Sequence, residues 1–112
     1  MTVNSPNPAT SSDITISHGK WSARIALRGA ALLQLKAGET QIVTNDWPNP
    51  ADWFAGSTLA PWVNRLDAGT WVHNGQTLQA PINDKDNNCA NHGLVHDHIF
   101  EIVEKTESSI QL

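Results

Sequence analysis

Tyrosine is absent from this chain of 112 residues, cysteine occurs once, and apolar residues never run together for long. A single cysteine, Cys89, excludes an intrachain disulfide. Without about 20 consecutive apolar residues no helix can cross a bilayer. The stretch from Met1 to Ser12 is polar, holds Pro6 and Pro8, and has neither a charged nor an apolar leader region. It does not read as a signal peptide and is expected to be a disordered tail. These absences predict a reduced, cytoplasmic protein with no membrane partner.

Positive charge is scarce as well. The formal net charge is −4. Residues 1–56 are balanced, with Lys20, Arg24, Arg28 and Lys36 against Asp13, Glu39, Asp46 and Asp52. The excess lies in residues 57–112, where Arg65, Lys85 and Lys105 face Asp67, Asp84, Asp86, Asp97, Glu101, Glu104 and Glu107. No basic stripe exists, which disfavours nucleic acid and suits a neutral polar ligand better than a polyanion. The acidic second half argues in the same sense against a phosphorylated ligand.

Tryptophan is what the chain has in excess: five, against two phenylalanines. Its N–H needs a partner when buried, so it is a costly filler, and its flat ring stacks well on the C–H face of a sugar. Packing in a sandwich core is the competing explanation for each one.

The pattern along the chain has period two. Ile14 and Ile16 alternate with polar neighbours, as do Trp21, Ala23, Ile25 and Leu27, which predicts strands with one wet face. Gly29 breaks the run, Ala31–Leu35 resumes it, and Gly38-Glu39 turns into Thr40–Val43. Ala30–Lys36 also has helical propensity, but its bounding glycines favour a short strand. Residues 45–56 form a long loop carrying Trp47, Trp53 and Phe54, either a lid on the core or a pocket wall. Thr70–His73 and Gln76–Gln79 flank Asn74-Gly75, the clearest hairpin. Residues 82–91 read as a second long loop. His98–Lys105 reads as a strand, and Glu107-Ser108 turns the chain into Ser109–Leu112. Ile110 and Leu112 begin an alternating strand that has no cap after it. This predicts a fragment of something longer, with open strand edges able to self-associate.

Three groups could carry chemistry. In Pro61-Trp62-Val63-Asn64-Arg65-Leu66, an amide and a guanidinium offer donors and an acceptor suited to vicinal hydroxyls, although a turn Asn and an exposed Arg would look the same. In Asn88-Cys89-Ala90-Asn91-His92-Gly93-Leu94, a histidine before a glycine could sit at a pocket wall, or simply bond a backbone carbonyl. The third is His92, His96 and His98, with Glu101 and His73. His96-x-His98 on a strand would put both rings on one face, the arrangement of cupin metal sites, but the cupin glycine spacing is missing. Cys89, His92 and His96 could also seat zinc, but lack a fourth ligand at clean spacing.

In order, Phe54-Ala55-Gly56, Asn64-Arg65, Gly69, Asn74-Gly75, Leu78, Pro81-Ile82-Asn83, Asn88 and His92-Gly93-Leu94 resemble the amino-terminal part of an aldose 1-epimerase (galactose mutarotase). Gly29-Ala30-Ala31-Leu32 fits the same family's early Gly-Ala strand, and the resemblance covers about residues 20–112. It implies an all-β fold, an antiparallel β-sandwich of the mutarotase supersandwich type, with residues 13–112 its amino-terminal portion. It implies interconversion of the α and β anomers of a free aldose without a cofactor. A glutamate takes the anomeric proton and a histidine protonates the ring oxygen, so the ring opens and recloses.

Carried over, Asn64 and Arg65 hold sugar hydroxyls and His92 binds near the ring oxygen. All three would be substrate-binding residues. The catalytic histidine and glutamate are expected downstream of Leu112, and the fragment alone is expected to be inactive. His96-Asp97 stands where relatives often carry Arg and Trp or another bulky residue. Glucose, galactose and phosphorylated hexoses all remain open as substrate. Two rival readings stand beside this one: a non-catalytic carbohydrate-binding module on the same fold, and a cupin-like metal-binding protein.

Overall fold

The structure, a computed structural model, describes residues 13–44 and 49–112. The expected tail, residues 1–12, and Trp47 lie outside them. Regular structure among the described residues is strand, apart from one 3₁₀ turn at Pro50–Trp53, and every strand pairing is antiparallel. No helix among them is long and apolar enough to cross a membrane. The chain divides into two compact units, one formed by Met1–Thr58 with His96–Leu112 and the other by Leu59–Val95.

The first unit is built on a four-stranded meander: β1 (Asp13–His18), β2 (Trp21–Ala26), β3 (Ala31–Ala37) and β4 (Thr40–Thr44). Period-two alternation produces it, because successive side chains of a strand point to opposite faces. Ala26, Ala31 and Leu33 form the buried cluster at the β2–β3 contact. Small residues there let the two backbones register directly, Ala26 opposite Ala31. Arg24 reaches back to Asp13 at 2.5 Å across the β1–β2 pair. The segment with mixed propensity, Ala30–Lys36, is therefore strand. Its pairing on both edges outweighs the helical preference of Ala and Leu.

Two expectations about this unit need correction. The strand expected over His98–Lys105 is mostly absent. Gly29 donates to the His98 carbonyl at 2.7 Å and Phe100 to that of Leu27 at 2.9 Å, with Arg28 opposite Ile99 as a lone bridge. The pairing then stops, because the next residue along that edge, Ala26, is already paired with Asp13 of β1 on one side and Ala31 of β3 on the other. Only β9 (Glu104–Lys105) is strand, paired with β10 (Ile110–Gln111) around the expected turn at Glu107-Ser108. In the aromatic loop, Trp53 is 67% exposed, so its ring is no lid on the core.

The second unit contains β5 (Arg65–Asp67), β6 (Thr70–His73), β7 (Gln76–Gln79) and β8 (Cys89–Asn91). The β6–β7 hairpin has the expected register, His73 opposite Gln76. Asn74 (φ 50°) and Gly75 (φ 77°) supply the two positive φ angles of its turn, which Asn-Gly tolerates and which matches the twist of the strands. The expected long loop over residues 82–91 is shorter than it seemed. Its last three residues are β8, which pairs with β5, Arg65 opposite Asn91 and Asp67 opposite Cys89. Ala80 and the β8 residues Cys89 and Ala90 are buried. Trp62 and Trp71 pack with ring centroids 5.7 Å apart, and the Trp62 indole N–H donates to the Ala90 carbonyl at 3.1 Å. Trp62 is thus a packing residue whose polar atom is satisfied.

Candidate functional site

The β5–β8 ladder brings Asn64, Arg65 and His92 together. Arg65 opens β5 and pairs with Asn91, which closes β8. One step further out on each strand are Asn64 and His92, so antiparallel pairing makes neighbours of residues 28 positions apart in sequence.

Asn64 and His92 then lock each other. The His92 N–H donates to the Asn64 carbonyl at 2.9 Å, and the Asn64 N–H donates to His92 Nδ1 at 3.1 Å. Both residues hold left-handed backbone angles, φ 64° for Asn64 and 65° for His92. Such angles are uncommon outside glycine, although Asn and His are among the residues that tolerate them, and they gather where function overrides local preference. The lock has a chemical consequence. In neutral imidazole, when Nδ1 accepts a hydrogen bond the proton resides on Nε2, so Nε2 is the donor the ring presents.

The next residue fixes where that ring sits. Gly93 is buried with φ 76°. A Cβ added there would fall on the carbonyl carbon and oxygen of Ala60, the carbonyl that accepts from the Leu94 N–H at 2.7 Å. Only glycine allows the chain after His92 to lie against residue 60. Asn83 clamps the same strand end. Its amide donates to the Asn91 carbonyl at 2.9 Å and its Oδ1 accepts from the Asn91 N–H at 2.6 Å, replacing a missing strand partner.

Arg65 is exposed and ion-paired. Its Nε donates to Asp84 Oδ2 at 3.3 Å. Asp84 is the residue that sequence reasoning missed, counted only as part of a polar loop. Its carboxylate also accepts from the Asn87 side-chain amide at 2.9 and 3.1 Å, from the Asn87 N–H at 3.3 Å and from the Cys89 thiol at 3.6 Å. The Asn87 amide, above all, holds the Asp84 carboxyl below its ordinary range; desolvation opposes this and Arg65 adds to it. Cys89, 2% exposed, is pushed up by burial first and by the Asp84 charge second, so it is a structural thiol rather than a reactive one.

The histidine cluster does not assemble. His96 and Asp97 lie in a turn rather than on a strand, the His96 ring packs edge-on to Phe54 at 4.8 Å, and His98 faces Phe100. Among the described residues no group of three histidine, cysteine or acidic side chains is placed to hold a metal ion, and the cupin-like reading loses its geometric basis.

Comparison with known proteins places this arrangement. The uncharacterized protein YihR of Escherichia coli K12 is 31% identical over 100 residues, 88% of this chain and 32% of that protein. Among solved structures, a galactose mutarotase-like protein of Clostridium acetobutylicum superposes with a TM-score of 0.71 at 22% identity, covering 87% of this chain and 32% of its own. An aldose epimerase homologue of Caenorhabditis elegans does so at 0.68 and 21%, over 88% and 34%. These neighbours show the mutarotase-type β-sandwich fold, and the chain spans about a third of the length of the relatives it matches. The family model for aldose 1-epimerase matches residues 12–112, and the chain accordingly belongs to the aldose 1-epimerase family.

Proposed function

We propose that Asn64, Arg65 and His92 form the sugar-binding part of an aldose 1-epimerase that interconverts the α and β anomers of a free aldose. The observation that carries this reading is the reciprocal lock between Asn64 and His92. It supports a preorganised Nε2–H donor carried on the same two-stranded ladder as Arg65. A pyranose offers the matching acceptors, a ring oxygen for the imidazole and adjacent hydroxyls for the guanidinium.

These residues bind and orient; they do not form the acid–base pair. Ring opening needs one group to take the anomeric proton and another to protonate the ring oxygen. The second unit contains no glutamate, and Glu101, Glu104 and Glu107 of the first unit are all exposed. In this reading the catalytic histidine and glutamate belong to the part of the fold that the relatives have beyond the shared third.

Equilibration of anomers of free aldoses by the gene product at its natural length, followed by NMR, tests the proposal. Arg65→Ala and His92→Ala are each expected to lower kcat/KM at least tenfold, about 1.4 kcal/mol of transition-state binding. Unchanged kinetics in both variants would remove these residues from the site. A gene product that binds aldoses without equilibrating them would favour the non-catalytic binding module.

A further inference from the structure

We propose that Asp84 is a positioning residue for Arg65, and that the loop from Asp84 to Cys89 is built to hold that one carboxylate. The inference rests on the reading of Arg65 as a sugar contact and goes beyond it. It concerns what aims the guanidinium.

Asp84 is the fixed member of the pair. Its side chain is 21% exposed against 55% for Arg65. Besides Arg65, three donors converge on it from a span of six residues: the Asn87 amide, the Asn87 N–H and the Cys89 thiol. Its backbone is pinned as well. Asp84 and Cys89 exchange both backbone hydrogen bonds at 3.1 Å, and Cys89 is in turn a member of β8, opposite Asp67 of β5. The carboxylate is therefore tied to the same two-stranded ladder that carries Asn64, Arg65 and His92.

Arg65 is the movable member. A long side chain on an exposed strand end loses considerable rotamer freedom when it grips a ligand. Asp84 removes part of that freedom beforehand and takes only Nε. Of the five guanidinium N–H donors, the four on the terminal nitrogens are left for ligand hydroxyls. An exposed ion pair contributes little to stability, so its expected effect is on ligand affinity.

The test measures KM and kcat for anomer equilibration of free aldohexoses by the gene product at its natural length. It compares the unaltered protein, Asp84→Asn, Arg65→Ala and the double variant. Arg65→Ala should raise KM about tenfold, and Asp84→Asn about fivefold with kcat changed by less than about twofold; the double variant should be no worse than Arg65→Ala, because the two groups act as one unit. If Arg65→Ala raises KM while Asp84→Asn does not, or if the two effects multiply in full, Asp84 has no positioning role and the sugar site still stands. If Arg65→Ala leaves KM unchanged, the reading of Arg65 as a sugar contact falls and this inference falls with it.

Should Asp84→Asn fail to fold, Asn87→Ala replaces it. That change removes the side-chain bonds to Asp84 on an exposed loop and keeps both charges. A KM rise of about two- to threefold, absent in an Arg65→Ala background, supports the inference; an unchanged KM overturns it.

Discussion

At the scale of single residues, the site depends on what is small as much as on what is polar. Gly93 has no direct contact to offer a ligand, yet it sets the position of His92 by letting the chain pass against the Ala60 backbone. Gly93→Ala would place a methyl group on backbone atoms in a left-handed conformation, and neither partner can swing aside. Overpacking of this kind costs about 2–3 kcal/mol, and the strained φ adds to it. Thermal unfolding should show the loss of stability, and a midpoint within a degree or two of the unaltered protein would contradict the close approach. The sequence singled out Asn64, Arg65 and His92 by residue type and order, and the β5–β8 ladder brings the three together. Asp84 was not. A carboxylate among Asn83, Lys85 and Asp86 looks like a solvated loop, and only the return of the chain through Cys89 sets it against Arg65.

At the scale of elements, legibility followed periodicity. The β1–β4 meander alternates over five to seven residues per strand and could be read directly, as could the hairpin around Asn74-Gly75. β5 and β8 could not. Arg-Leu-Asp and Cys-Ala-Asn are three residues each, too short to show a period, and their pairing is a tertiary event. The error at His98–Val103 has the opposite cause: the pattern alternates, but beyond Leu27 both edges of β2 are already taken by β1 and β3.

The β5–β8 element also has a defined response to acid. Asp84 is held below its ordinary carboxylate range in the folded protein, so its charged form is favoured by folding. That contribution is fully present above the unfolded-state value of about 3.9 and is lost as pH falls through the lowered folded value. Amide exchange at Asn87 and Cys89, whose N–H groups bond the side chain and the backbone of Asp84, should lose protection as pH falls below the ordinary carboxylate range and through the lowered value of Asp84. Asp84→Asn should abolish that pH step, and an identical step in the variant would assign it to another group.

At the scale of the whole molecule, a β-sandwich gains its stability by covering one sheet face with another, and this chain leaves much apolar surface in water. Ile99, Ile102 and Val103 are 46%, 43% and 69% exposed, and Val63 and Val72 are 66% and 69%. Exposed apolar side chains are ordinary on protein surfaces, and only a contiguous patch marks a covered face. The relatives this chain matches are about three times as long. The same length difference bears on catalysis. On the proposed reading Asn64, Arg65 and His92 hold the aldose, and proton transfer at the anomeric hydroxyl and the ring oxygen falls to other residues. The 112 residues expressed by themselves should therefore leave α/β equilibration at its spontaneous rate, measured by polarimetry on freshly dissolved α-glucose and α-galactose. Acceleration approaching that of the gene product at its natural length would mean that this chain holds its own acid and base, with His92 the first candidate for one of them.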